Sequence, residues 1–294
     1  MRISLAQVDS RLGDDRRQRG AAPSGCWWTP PLRTAPTSSC FPELHLCGYS
    51  IGEVGGRPVD ASGRPADRRG SPSSRRPGRA CCVGFVGGAA HQARTTYNST
   101  AYYEDGRLVH VHRKLYLPDV RSRSRSATTS LPGPRSSRAF PVLPGPTPGW
   151  RCCVCNDAWQ PQLALHLATQ DGAQVHAGAD RPARRACSPT ATTRTSYWRR
   201  HHPVLRADVP GLRGVRQPGR RSRAGSSSGV ARTSSTPGAA WSPRPTEDEE
   251  QVLTVDIDLA DIRRRRRQVP LVKEARLGLI QREIARLLDE GGDM

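Results

Sequence analysis

The feature that most constrains this chain is an alternation between short apolar stretches and long stretches rich in Arg, Ser, Pro, Thr, Gly and Ala. The long stretches, which we call the atypical segments, show no sustained period of 3.6 or 2.0 residues. Such a composition cannot bury enough apolar surface to offset the loss of chain entropy, and it is typical of disorder. The apolar stretches must therefore supply the folded core. The atypical segments are residues 14–40, 56–80, 119–148 and 177–246, and the apolar stretches are residues 1–13, 41–55, 81–118, 149–176 and 247–294.

The apolar stretches have the patterns of an α/β protein. ISLAQV, VGFVGG and the start of residues 149–176 predict strands, and YNSTAYYEDGRLVHVHRKLYLP predicts a strand, an Asp-Gly turn and a second strand. Residues 163–168 predict a helix that ends near Asp171-Gly172. The last stretch predicts a strand followed by helical pieces broken at Pro270, with one apolar face made of Leu277, Ile280, Ile284 and Leu287 or Leu288.

The net charge of +20 comes mainly from the atypical segments, which show neither a patterned basic helix nor stacking aromatics. We therefore expect no nucleic-acid partner, and a basic, disordered nucleic-acid-binding protein is the weakest alternative. The arginine run 263–267 is interpreted as the exposed face of a helix start. No apolar window of about 18 residues and no hydrophobic signal core are present, so we predict a cytoplasmic protein without a membrane partner.

Residues 151–159, RCCVCNDAW, contain three cysteines, at positions 152, 153 and 155. The cluster could be a metal site, a disulfide remnant or a nucleophile. Ligands at zinc-site spacing are missing, and the total of nine cysteines is odd, which fits a reducing compartment. A cysteine is also often simply a small buried hydrophobe. We predict no metal, and the residues alone leave the role of Cys155 open.

Three motifs taken in series change this assessment. FPEL at 41–44, HRKLYLP at 112–118 and CNDAW at 155–159 resemble, in this order, the motifs of the nitrilase superfamily of carbon-nitrogen hydrolases. The N-terminal strand and the tail VDIDLADI are also similar to that family's first and closing elements. The resemblance implies one α/β domain over residues 1–294, folded as a four-layer α-β-β-α sandwich and forming a homo-oligomer. We expect this sandwich to be incomplete, because the atypical segments replace several of its elements.

The resemblance also implies a site. Cys155 corresponds to the nucleophile, Glu43 to the general base, and Lys114 with the backbone N–H of Asn156 to the groups that stabilise the oxyanion. Tyr116 and Trp159 would either line the substrate pocket or pack in the core. Asp157 would orient the turn after the nucleophile, and Tyr97-Asn98-Ser99 would form a structural turn. No metal or organic cofactor is implied. The substrate class is a small amide, an N-carbamoyl amine or a nitrile.

The chain departs from the family at one further position of the site. Many members carry a second glutamate soon after the lysine motif, but this chain has none between Glu104 and Glu247. We hypothesise that the atypical segments are frame-shifted coding sequence, since CWWTPPLRTAPTSSC and SSSGVARTSSTPGAAWSP can decode in a shifted frame into strings similar to the family's. An inactive remnant is therefore the main alternative to an enzyme. Resequencing the gene tests the hypothesis, which fails if the alternative frames hold no family-like continuation.

Overall fold

The structure is a computed structural model, and it describes parts of the chain that include FPEL and most of HRKLYLP. The described residues are 2–7, 38–46, 48, 80–89, 92–105, 107–117, 150–155, 157, 160, 172–180, 215–216, 251–256, 258–268 and 270–291. The predicted helix at 163–168, Asn156 and Trp159 lie outside them.

The larger sheet has six strands in the order β5-β4-β3-β2-β1-β9. In the centre of this sheet, β2 is parallel to both of its neighbours, β1 and β3. The outer strands β9, β4 and β5 are paired antiparallel. The strands are β1 (Arg2–Gln7), β2 (Ser38–Cys40), β3 (Ala80–Ala89), β4 (Gln92–Glu104), β5 (Arg107–Arg113) and β9 (Gln251–Asp256).

The smaller sheet is parallel, with the order β6-β7-β8. Its strands are β6 (Trp150–Val154), β7 (Val175–Asp180) and β8 (Val215–Arg216). Within the described residues, three helices follow β9: α1 (Leu259–Gln268), α2 (Leu271–Glu274) and α3 (Leu277–Asp289). No helix among the described residues is long and apolar enough to cross a membrane.

Most of the strand predictions are confirmed. The Asp-Gly hairpin is formed by β4 and β5, with Asp105 at a φ of 49° in the turn, and the helical tail breaks at Pro270. The residues predicted to form an apolar helix face lie in α3. Within the part of the chain that the structure describes, no residue of α3 is buried.

Three predictions need correction. β2 lies within the atypical segment 14–40 and β8 within 177–246, because strands of three and two residues are too short to show a period. Tyr97-Asn98-Ser99 lies inside β4 and is not a turn. The arginine run is not one exposed face, since the half-buried Arg266 donates a hydrogen bond to the carbonyl oxygen of Ala173.

One contact between the two sheets is formed by buried cysteines of β3 and β6. The Sγ atoms of Cys82 and Cys152 lie 3.6 Å apart, and both residues are free cysteines. Hydrogen bonding with Cys152 and Cys40, together with burial, raises the pKa of the Cys82 thiol. These thiols therefore pack as neutral apolar groups. A neighbouring apolar cluster consists of Leu46, Cys81, Val83, Phe85 and Ala101.

Gly84 lets the FPEL segment lie directly against β3. A Cβ atom at this position would come within 2.5 Å of both the amide nitrogen of Leu44 and the carbonyl oxygen of Pro42. The amide of Leu46 also donates a 3.0 Å hydrogen bond to the Gly84 carbonyl oxygen. The absence of a side chain at this one position therefore sets the location of Glu43 relative to the sheet.

We predict that Gly84→Ala lowers the free energy of unfolding by about 1–3 kcal/mol, because the methyl group meets backbone atoms that cannot rotate away. The matched control is Gly87→Ala in the same strand, whose Cβ would meet the side chains of Phe85 and Ser99 at 3.3 Å. Urea denaturation measures both variants. Equal losses would contradict the close approach at Gly84.

Candidate active site

Glu43 lies in a tight turn between β2 and β3. The turn covers residues 43–46, and Leu44 adopts a left-handed φ of 51°, which is unusual for a residue with a side chain. The amide of Gly48 closes the turn with a 2.8 Å hydrogen bond to the Leu44 carbonyl oxygen. Glu43 itself is completely buried. A buried carboxylate needs a partner, because its desolvation is otherwise too costly.

Lys114 is that partner. Its Nζ donates a 2.7 Å hydrogen bond to Glu43 Oε1, and the lysine side chain is 1% exposed. Lys114 follows the end of β5, where the alternation of buried and part-buried residues turns His112 and Lys114 inward. Arg113 points the other way, and its guanidinium stacks on the ring of Tyr97 at 4.3 Å.

Asn98 makes contact with both members of the pair. Its side-chain Nδ2 donates a 2.7 Å hydrogen bond to Glu43 Oε1. Its backbone carbonyl oxygen accepts a 2.8 Å hydrogen bond from the backbone amide of Lys114. One strand residue therefore fixes the carboxylate and the lysine backbone together. The sequence analysis missed this role, because the cross-strand partner of a lone Asn is not visible in one sequence.

Cys155 follows β6 at the edge of the smaller sheet. It is partly exposed, forms no disulfide and has a left-handed φ of 44°. Such a backbone conformation costs a non-glycine residue on the order of 1 kcal/mol or more, and residues of this kind concentrate at functional sites. Cys152 and Cys153, by contrast, are buried within the strand.

Asp157 connects the cysteine turn with the lysine loop. Its Oδ1 accepts 3.0 Å hydrogen bonds from the amides of Leu115 and Tyr116, which follow Lys114 directly. Its Oδ2 accepts a 3.1 Å hydrogen bond from the amide of Val154 and a 2.8 Å hydrogen bond from His112 Nε2. Asp157 therefore contacts the loop after Lys114 in addition to the turn after Cys155 that it was predicted to orient. The half-buried Tyr116 is held in this loop through its backbone.

His45 stabilises the turn that carries Glu43. Its ring is 1% exposed and stacks on Phe41, with a centroid distance of 5.1 Å. Burial lowers the pKa of His45 to about 4. The residue is therefore neutral in the fold at neutral pH.

We predict that stability falls as pH falls from 7 to 5. The unfolded chain takes up a proton at His45 below about pH 6.5, whereas the folded chain does so only near pH 4, so acid favours unfolding by about 2 kcal/mol at pH 5. His110, whose pKa burial also lowers to about 4, contributes in the same direction. Urea unfolding at the two pH values checks this. His45→Phe should lose less stability than the parent between them, and an equal loss would contradict the assignment to His45.

Among the described residues, no group of three or more His, Cys, Asp or Glu side chains could hold a metal ion. The described side chains offer an acid-base pair, Glu43 with Lys114, and the partly exposed thiol of Cys155 as a nucleophile.

Known structures share the fold of this chain. A carbon-nitrogen hydrolase from Helicobacter pylori G27 superposes with a TM-score of 0.72 at 14% identity, covering 97% of this chain and 98% of that one. A mutant of the amidase from Nesterenkonia sp. AN1, with acrylamide added at its active-site cysteine, gives 0.69 at 16%, covering 96% and 99%. These matches show the four-layer α-β-β-α fold of the nitrilase superfamily.

A third neighbour is larger than this chain. The glutamine-dependent NAD+ synthetase from Acinetobacter baumannii superposes with a TM-score of 0.65 at 16% identity, covering 86% of this chain. The chain spans only 44% of that enzyme's length. No curated protein sequence matches the chain significantly.

The sequence profile of the carbon-nitrogen hydrolase family matches residues 39–267, which is more than half of the chain and includes all three motifs. The chain therefore belongs to the carbon-nitrogen hydrolase family.

Proposed function

We propose that this chain hydrolyses the carbon-nitrogen bond of small, non-peptide amides through a covalent thioester on Cys155. The observation that carries the proposal is the buried ion pair between Glu43 and Lys114. Replacing a buried ion pair by apolar residues is often neutral or stabilising, so the presence of such a pair favours a chemical role over a structural one. The loop after Lys114 is also hydrogen-bonded to Asp157, two residues after the partly exposed Cys155.

In the first half-reaction Glu43 accepts the thiol proton while Cys155 Sγ attacks the carbonyl carbon. The oxyanion that forms is stabilised by Lys114 and by the backbone N–H of Asn156. When the tetrahedral intermediate collapses, the carbon-nitrogen bond breaks, and Glu43 gives its proton to the leaving amine. The product is a thioester. With a nitrile the thiol adds across the carbon-nitrogen triple bond, the proton goes to nitrogen, and the thioimidate that forms releases ammonia only after water adds to it.

In the second half-reaction Glu43 accepts a proton from water, and the resulting hydroxide attacks the thioester carbon. The same donors stabilise the second oxyanion. Collapse breaks the carbon-sulfur bond and releases the acid, and the proton on Glu43 returns to the thiolate. No redox or metal-dependent step is needed.

The substrate class rests on similarity. A mutant of the Nesterenkonia amidase forms covalent adducts at its active-site cysteine with acrylamide and with the acetamide moiety of fluoroacetamide. Small aliphatic amides are therefore the first substrates to test, with N-carbamoyl amines, nitriles and glutamine beside them. Tyr116 and Trp159 are proposed to line the pocket, and a homo-oligomer is the proposed assembly.

We predict that the purified chain releases ammonia from at least one of these substrates, and that Cys155→Ala lowers kcat at least about 1000-fold. Loss of the nucleophile removes the covalent route, whereas folding is unaffected because Cys155 is partly exposed. The matched control is Cys153→Ala, a buried cysteine of β6 that has no part in the proposed chemistry. A coupled assay for ammonia and circular dichroism measure activity and folding.

Two results would overturn the proposal. Equal ammonia release by the parent and by Cys155→Ala would exclude this nucleophile. A folded parent chain with no release from any member of the panel would favour the inactive remnant.

A further inference from the structure

We propose that Asp157 is a positioning residue that sets the separation between Cys155 and Lys114, with His112 as its side-chain partner. The proposal rests on the proposed function. In this role Asp157 does not contact the substrate. It holds two segments, one from each sheet, at a fixed distance.

The carboxylate is enclosed by donors from both segments. Asp157 is completely buried, and each of its two oxygens accepts two hydrogen bonds. Three of the four donors are backbone amides, whose positions are fixed by the chain itself. The carboxylate therefore fixes the backbone of both segments, and does more than orient its own turn.

The two segments are those that carry the proposed reacting groups. The Leu115 and Tyr116 amides follow Lys114 directly, and Val154 precedes Cys155 directly. Asp157 thus reaches the neighbours of both the lysine and the nucleophile. A small displacement of a reacting group can cost about 100-fold in rate, so an error in this separation acts on catalysis.

His112 supplies the fourth donor from within β5. Its side chain is 2% exposed, and its Nε2 lies 2.8 Å from Asp157 Oδ2. Because His112 and Lys114 are two residues apart and both turned inward, the contact ties Asp157 to the strand that presents the lysine. An apolar residue at 112 would leave this oxygen with the Val154 amide alone.

The experiment compares Asp157→Asn and Asp157→Glu with the parent chain. The amide has one acceptor oxygen in place of two, and the longer glutamate keeps the charge but moves the oxygens by one methylene. We expect both variants to lower kcat about 100-fold with KM changed much less. A purely electrostatic role predicts that Asp157→Glu keeps its activity, and that result would overturn the proposal.

A second readout does not depend on hydrolysis. The rate of alkylation of Cys155 by acrylamide, followed by mass spectrometry, should fall about tenfold in both variants, because the thiolate moves away from the lysine cation. If the parent releases no ammonia, the proposed function fails while this readout still tests the positioning role. Reduced melting temperature with an unchanged alkylation rate would mean a structural role only, and would overturn the proposal.

His112 provides the test if the Asp157 variants do not fold. His112→Gln keeps an N–H donor at a similar reach, whereas His112→Phe keeps the ring and removes the donor. We expect His112→Gln to retain the alkylation rate and His112→Phe to lower it. Equal rates in these two variants would contradict the role of the His112 contact.

Discussion

The structure around the site depends on the burial of one ion pair, Glu43 with Lys114. Removing two charges from water is expensive, and the fold offsets this cost only through close geometry and additional donors. Asn98 supplies such a donor at 2.7 Å. The left-handed turn at Leu44 and the bare backbone of Gly84 both serve to bring the glutamate to this position. A change in any of these residues acts on the charge pair, and through the pair on the chemistry proposed for Cys155.

The β4–β5 hairpin and the loop after it position both buried carboxylates of the site, Glu43 and Asp157. Glu43 receives hydrogen bonds from Asn98 in β4 and from Lys114 just after β5, while Asp157 receives them from His112 in β5 and from the loop that follows. The turn of the larger sheet and the cysteine turn of the smaller sheet are therefore positioned against the same two strands. The segments that carry residues 43, 114 and 155 are thereby linked through hydrogen bonds, although they are far apart in sequence and long segments between them have an atypical composition.

The sequence was informative where a pattern repeats or a motif is complete. Period-two alternation predicted β3, β4 and β5, and three motifs in series led to Glu43, Lys114 and Cys155. Short parallel strands such as β2 were missed, since three residues show no period and their pairing partners are distant in sequence. The contacts of Asn98 and His112 were missed for a related reason, because cross-strand register and the reach of Asp157 are tertiary properties. Arg266 was misjudged because one arginine in a run of five is half-buried against a carbonyl group.

The measurement that tests this account most directly is a double-mutant cycle on the free energy of unfolding, with Glu43→Gln, Lys114→Met and the two combined. If the pair organises the site, each single variant should lose about 3–5 kcal/mol, because it leaves an uncompensated group in the interior. The double variant should lose clearly less than the sum, with a coupling energy of about 2 kcal/mol or more. Losses that add to within about 0.5 kcal/mol would show that the two residues act independently, and would contradict the account.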